Sequence, residues 1–166
     1  MFIDDSYRYC HVSLSNETDV TASFSSQSLY THDDWTAEPR TARVGDDPVN
    51  PAGQLYPSTY LEWGSESGFD RGCQNTATFT LRSFGTVTIS VADPWSGSNS
   101  YSCTWTGVPG IRCLRLASGF GNPVWGGDQL SAQYDLCMVK GYSTGAKDGT
   151  PGVDCDTLIA QGDLLP

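Results

Sequence analysis

The chain is poor in basic residues and in histidine. Of its 166 residues, nine are lysine or arginine and two are histidine, against 19 acidic residues, so the net charge is −10. The basic residues are scattered, and no patch of them can neutralise several phosphates. This composition argues against nucleic-acid binding and against adsorption to anionic lipid by charge attraction alone.

Helical and membrane-spanning patterns are also lacking. No window of a dozen residues places apolar side chains at i, i+3, i+4 and i+7, and no apolar run approaches roughly 18 residues. No signal peptide follows Met1. We expect Met1 to be an initiator residue in front of a chain that begins after signal cleavage.

Catalytic motifs are missing as well. The string closest to a nucleophile elbow, residues 64–68, has Glu66 where serine is required, and no helix pattern follows it. His32 lies beside Asp33 and Asp34, where a general base is conceivable, but a histidine exposed in a turn is the simpler interpretation. Nothing in the spacing of the 19 acidic residues singles out a carboxylate pair for glycoside hydrolysis. We therefore expect no enzymatic activity, and an enzyme is the third of three functional alternatives.

Metal-binding patterns are not evident either. The chain has no C-x-x-C pair, so a zinc site is not indicated. Adjacent aspartates occur at 33–34 and 46–47, and Asp154 and Asp156 are separated by one residue, but no calcium loop of the D-x-[DN]-x-[DN]-G type is present. We expect these acids to lie in turns, and we predict neither a metal nor a cofactor.

Six cysteines are spread through the chain at Cys10, Cys73, Cys103, Cys113, Cys137 and Cys155. An even count in a loop-rich chain with little lysine predicts three disulfides and a secreted, extracellular protein. Cys103 and Cys113 bracket a turn, and pairs 10–73 and 137–155 complete the set that we favour among fifteen connectivities. Asn16 begins an N-glycosylation sequon, which agrees with secretion and predicts a glycoprotein.

Period-2 alternation of apolar and polar residues dominates the chain. It is clear around residues 20–24, 76–81, 86–91, 101–106 and 130–138, and each run predicts a half-buried antiparallel strand. Strands at roughly ten-residue spacing predict an all-β fold, an antiparallel β-sandwich stapled by disulfides with little helix. We expect residues 1–166 to form one domain, with a long surface loop over 40–57 and a C-terminal tail over 141–166 pinned by Cys155.

The aromatic residues are the most informative about function. Trp105 is in phase with Tyr101 and Cys103, which places it in the core. Trp35, Trp95 and Trp125 sit in turn-rich strings. A tryptophan in a loop either packs over the end of the sandwich or is displayed for a ligand, and an indole suits a membrane interface, a sugar face or a protein pocket alike.

The order of these motifs resembles the aegerolysin-like superfamily of small fungal and bacterial β-sandwich proteins. The resemblance spans roughly residues 10–105. It rests on the strand Val12-Ser13-Leu14-Ser15-Asn16-Glu17-Thr18, the turn Leu29-Tyr30-Thr31-His32-Asp33-Asp34-Trp35, the segment 64–72, the strand pair 76–91, and the string Asp93-Pro94-Trp95-Ser96-Gly97-Ser98-Asn99. The six-cysteine framework is not typical of that superfamily, and Asp93 directly precedes Pro94 where many relatives have a residue between them.

The resemblance implies recognition of membrane lipid. Some members of the superfamily are the targeting component of a two-component toxin, in which a perforin-like partner forms the pore. The resemblance also implies that Trp35 and Trp95 face the membrane, that Asn99 shapes the loop, and that the headgroup contact falls near Glu66 or Asp70. The alternative for the string 94–97 is that it only turns the chain between two strands. The rival function is a secreted effector or elicitor that binds a host protein or a cell-wall carbohydrate.

Overall fold

The computed structural model describes residues 8–40, 52–68, 71–96, 98–116 and 129–164. Ten strands and one short helix occur in this part of the chain. They are β1 Tyr9–Asn16, β2 Ala22–Leu29, β3 Asp34–Ala37, β4 Gln54–Leu55, β5 Thr59–Glu66, β6 Cys73–Leu81, β7 Gly85–Asp93, β8 Ser100–Gly107, β9 Ile111–Arg115, β10 Gln129–Met138 and α1 Cys155–Ala160. Within the described ranges, no helix has the length and apolar character needed to cross a membrane.

The strands form two five-stranded sheets, which confirms the predicted β-sandwich. The first sheet has the order β3-β5-β1-β10-β9 and the second the order β4-β2-β6-β7-β8. The prediction of purely antiparallel pairing is wrong at one place, because β1 pairs with β10 in parallel from Tyr9 opposite Gln129 to Asn16 opposite Leu136. These two strands are separated by most of the chain, so no hairpin dictates their relative direction.

The inner faces of both sheets supply the main core. Along β7, Val87, Ile89 and Val91 are fully buried, and Thr88 and Ser90 between them face outward. Trp63 on β5 is the largest fully buried side chain, and its Nε1 donates a hydrogen bond to Asn75 Oδ1 at 3.0 Å. Trp105 packs against this core as predicted, but it is half-buried because β8 is the edge strand of its sheet.

Several strands lie where the sequence pattern was uninformative. The expected loop over 40–57 contains β4, whose Leu55 is fully buried, while residues 41–51 lie outside the described part. Strands β3, β5 and β9 show no clean alternation of apolar side chains. In β5, for example, Gly64 and Ser65 are buried, and such residues carry little hydrophobic signal.

Four of the six cysteines form the predicted disulfides. Cys103 joins Cys113 with a Cα–Cα distance of 6.1 Å, and Cys137 joins Cys155 at 5.2 Å. The prediction of a third disulfide is wrong in this structure, since Cys10 and Cys73 are buried free thiols. The Sγ of Cys10 lies 3.3 Å from the carbonyl oxygen of Cys73. The hydrogen bond between the two side chains, together with burial, raises the pKa of Cys10. Both residues serve here as small buried core groups.

The predicted glycosylation site is a structural residue. Asn16 is fully buried, and its Nδ2 donates hydrogen bonds to the carbonyl oxygens of Val20 at 2.8 Å and Leu55 at 3.0 Å. Its Oδ1 accepts from the backbone and the hydroxyl of Thr18. A glycan on Nδ2 would break one of these bonds and would have no path to solvent. The prediction of a glycoprotein is therefore wrong at Asn16.

The C-terminal tail is pinned as predicted, by more than the disulfide. The helix α1 begins at the N-cap Asp154, and together with Cys137, Leu114 and Leu164 its buried side encloses a second, smaller core. At the start of the tail, Ser143 and Thr144 donate hydrogen bonds to Asp19. The tail is thus fastened to the sandwich at several points, and Asp148 and Gly152 add further hydrogen bonds to Thr21 and Glu17.

Candidate functional site

Several chain segments converge at one end of the sandwich, which we call the loop end. The antiparallel registers bring together the ends of β2, β5 and β7 and the beginnings of β1 and β6. The turn from β2 to β3 and the turn from β7 to β8 therefore lie at this end. Two exposed aromatic side chains, Tyr30 and Trp95, sit in these two turns.

A groove of about 330 Å³ opens at the loop end. Its aromatic walls are Tyr30, which is 53% exposed, and Trp95, which is 45% exposed. Smaller lining residues are Gly72, Cys73 and Ala92. The groove is completed by Pro94 and by the polar residues Gln74 and Ser96.

The groove depends on a close backbone approach at Gly72. A Cβ at this position would lie 2.8 Å from Pro94 Cα and 2.8 Å from the backbone nitrogen of Trp95, closer than real Cβ atoms come. Pro94 restricts the backbone next to Trp95, since its ring locks φ. The indole is therefore carried by a rigid turn that rests directly on the strand beside it.

Arg8 holds Trp95 from the side of the first sheet. Its guanidinium carbon lies 4.7 Å from the centroid of the indole, which is a cation–π contact. The Nε of Arg8 is 4.0 Å from Oδ1 of the fully buried Asp93. The backbone of Arg8 is fixed by two hydrogen bonds with Ser67, of 2.7 and 2.8 Å. Arg8 thus links the indole of Trp95 to Ser67 and Asp93.

Asp33 fixes the opposite wall of the groove. Its side chain is 8% exposed, and Oδ2 accepts a hydrogen bond from the backbone nitrogen of Gln74 at 2.9 Å. The backbone of Tyr30 donates to the carbonyl of Gln74 and accepts from Asp33, both at 3.1 Å. Burial raises the pKa of Asp33, and the hydrogen bond from Gln74 opposes that rise. The turn that carries Tyr30 is therefore tied to the strand that carries Gln74.

The groove is electrically neutral although the chain is strongly acidic. None of its described lining residues is charged. No group of three or more histidine, cysteine or acidic side chains within the described ranges has the arrangement needed to hold a metal ion. What the arrangement supports is non-covalent binding of a neutral or weakly polar group between two aromatic walls.

Among the described residues of the predicted ligand-binding set, Trp95 alone lines the groove. The sequence predicts display of at least one of Trp35 and Trp95, and Trp35 is half-buried in β3 and packs against the core. In the sequence both tryptophans stand in similar turn-rich strings. The difference arises because β3 continues the first sheet at its edge, so the Trp35 side chain meets the core.

The remaining predicted residues lie elsewhere. Glu66 ends β5 opposite Tyr9 of β1, is half-buried, and does not belong to the groove lining. Asn99 is half-buried immediately before β8. Asp70 and Trp125 lie outside the described residues.

Sequence reasoning missed Tyr30, Gly72, Gln74 and Arg8. Tyr30 stands in a turn-rich part of the sequence, so a systematic search for aromatic residues in turns would have found Tyr30. The structure confirms the turn, since His32 has a backbone φ of 73°. Gly72 and Gln74 have no local signal, because their role depends on the strand that lies beside them. Arg8 lies in a part of the chain whose sequence gives no periodic pattern.

Comparison with known proteins defines the fold class only. No protein-family model matches the sequence, and no curated protein matches it. The fold resembles the RahU protein, solved in complex with a TRIS molecule, with a TM-score of 0.53 and 12% identity over 81% of this chain and 98% of RahU. It also resembles IP-1A from Alcaligenes faecalis, with a TM-score of 0.52 and 12% identity over 78% of this chain and 91% of IP-1A. At such low identity the likeness concerns the fold alone.

Proposed function

We propose that this protein is a secreted, non-catalytic binding module that recognises membrane lipid through its loop end and acts as a toxin or toxin component. The observation that carries the proposal is the exposed Trp95, held on a rigid turn opposite Tyr30 across the groove. Indole and phenol rings have an apolar body and a polar edge, and they favour the interface between lipid and water.

Preorganisation supports this proposal. An indole whose turn is fixed by Pro94, Gly72 and Arg8 loses little conformational entropy when it enters an interface. A side chain of this size contributes about 1–3 kcal/mol when it is removed from water. A single site of this strength is weak, so stable attachment requires the groove or a partner protein to contribute as well.

The charge of the chain restricts the kind of membrane. With a net charge of −10, the protein is repelled by anionic lipid, so the favoured target is an electrically neutral surface. The two disulfides suit an oxidising, extracellular compartment.

The second candidate is an effector that binds a host protein or a cell-wall carbohydrate through the same groove. The neutral lining with the polar side chains of Gln74 and Ser96 favours this alternative, because such groups hydrogen-bond hydroxyls. It differs from the first in that no bilayer is required.

Vesicle sedimentation with tryptophan variants separates these possibilities. We expect Trp95→Ala to weaken attachment to neutral vesicles by about 1–3 kcal/mol while the melting temperature stays close to that of the wild type. Tyr56→Ala is the matched control, since Tyr56 is 42% exposed but precedes β5 and lies at the opposite end of the sandwich. Trp105→Ala should instead lower the melting temperature, because Trp105 packs against the core.

The proposal fails if wild-type protein binds no vesicle. It also fails if Trp95→Ala destabilises the fold as severely as Trp105→Ala and leaves binding per folded molecule unchanged. In that case the turn at 94–96 only connects two strands.

A further inference from the structure

We propose that the groove takes the neutral sugar ring of a glycolipid headgroup. This inference rests on the proposed function, because it names the class of lipid that the loop end recognises. It is carried by the charge, the aromatic walls and the size of the groove.

Charge argues against a phosphate-containing headgroup. Proteins commonly hold a phosphate that is withdrawn from water with cationic side chains, arginine in particular. Within the described residues, none of the groove lining is cationic. The guanidinium of Arg8 stacks on Trp95, and its Nε lies 4.0 Å from a carboxylate oxygen of the fully buried Asp93, so a negative charge already opposes it. A neutral headgroup fits this environment and a phosphate does not.

The lining matches the two kinds of surface that a sugar ring presents. The C–H face of the ring is apolar and stacks on aromatic side chains such as Trp95 and Tyr30. The hydroxyls at the ring edge both donate and accept hydrogen bonds, as do the amide of Gln74 and the hydroxyl of Ser96. The backbone of Gln74 is already engaged with Tyr30 and Asp33, so its position is fixed while its side chain remains exposed in the groove.

The size of the groove indicates one ring. Its volume of about 330 Å³ is at the lower end of the range for small-molecule sites. An oligosaccharide would extend beyond it, and an acyl chain would not satisfy its polar groups. The lipid tails therefore remain in the bilayer, where Trp95 contacts the interface beside the bound ring.

The test uses three kinds of phosphatidylcholine vesicle, which contain ceramide, glucosylceramide or galactosylceramide. Sedimentation with each kind is measured in the presence and absence of soluble methyl glucoside or methyl galactoside. We expect sedimentation with one of the glycolipid vesicles to exceed that with ceramide vesicles, and the matching soluble sugar to compete. Gln74→Leu keeps the size of the side chain and removes its hydrogen bonds, so it should reduce the glycolipid preference about tenfold. Gln133→Leu, on β10 outside the groove, is the matched control and should retain the preference.

The outcomes distinguish this inference from the proposed function. Equal binding to ceramide and glycolipid vesicles, with no effect of Gln74→Leu, overturns the sugar site and leaves lipid recognition standing. Binding of the soluble glycosides without binding to any vesicle overturns lipid recognition and the glycolipid source, and assigns the groove to a free carbohydrate. Absence of binding to every vesicle and every glycoside overturns both.

Discussion

Glu17 is a carboxyl group that the fold holds in a poorly solvated position. Its Oε2 is buried and has no hydrogen-bond partner among the described residues. The tail lies directly against it, since a Cβ on Gly152 would come within 3.0–3.2 Å of its side-chain carbons. Burial, and then the charge of Asp135, raise the pKa of Glu17 from 4.5 to about 7. Burial also raises the pKa of Asp135 from 3.8 to about 6, against a hydrogen bond from Ser15.

The direction of the pH dependence follows from these raised values. The folded state binds more protons than the unfolded state between about pH 4 and pH 7, so stability is highest at the acidic end of this window and is lost as the pH rises through it. The whole shift at Glu17 corresponds to about 3 kcal/mol. Because the residue is partly open to solvent, which screens its charge, we expect about 1–2 kcal/mol.

Glu17→Gln removes this titration and keeps the shape of the side chain. In urea unfolding, the variant should exceed the wild type by less than about 1 kcal/mol near pH 5 and by about 1–2 kcal/mol at pH 8. Glu38→Gln, at an exposed carboxyl, is the control and should follow the wild-type curve. Measurements stay above pH 5 because the lowered pKa values of Asp19 and Asp154 keep those groups ionised there. Parallel curves for Glu17→Gln and wild type from pH 5 to pH 8 would refute the reasoning.

Three further predictions concern Asn16, Gly72 and the two free thiols. Asn16→Ala should destabilise the fold by about 2–4 kcal/mol, because it leaves two buried carbonyls without donors, and a denaturant midpoint close to wild type would contradict this. Gly72→Ala should displace the turn at Pro94 and weaken vesicle binding more than it lowers the melting temperature, whereas unchanged binding would show that the close approach is not needed. In unreduced, denatured protein a thiol reagent should label Cys10 and Cys73 and no other cysteine, and labelling of none or of more than two would contradict the assignment of the thiols.

The alternating runs around 76–91 and 101–106 determine their strands by themselves. A period of two is a local property, since each side chain points away from its neighbour whatever the strand is paired with. Thr76 to Leu81 and Thr86 to Val91 therefore appear in the structure as β6 and β7, on either side of a short turn. The pairing of Cys103 with Cys113 is local in the same sense, because the turn between them brings their strands together.

The candidate site was decided by tertiary structure. Its aromatic walls, Tyr30 and Trp95, come from turns far apart in the chain, and the strand that begins at Cys73 lies between them only because β6 pairs with both β2 and β7. The sequence places Trp35 and Trp95 in equivalent strings, yet only the sheet edge at β3 decides that Trp35 faces the core. The sequence likewise predicts an exposed glycosylation site at Asn16, but in the structure Asn16 is buried and hydrogen-bonds to Leu55 of β4. In each case the deciding contact joins residues distant in sequence, and a local pattern carries no information about which strand will lie beside it.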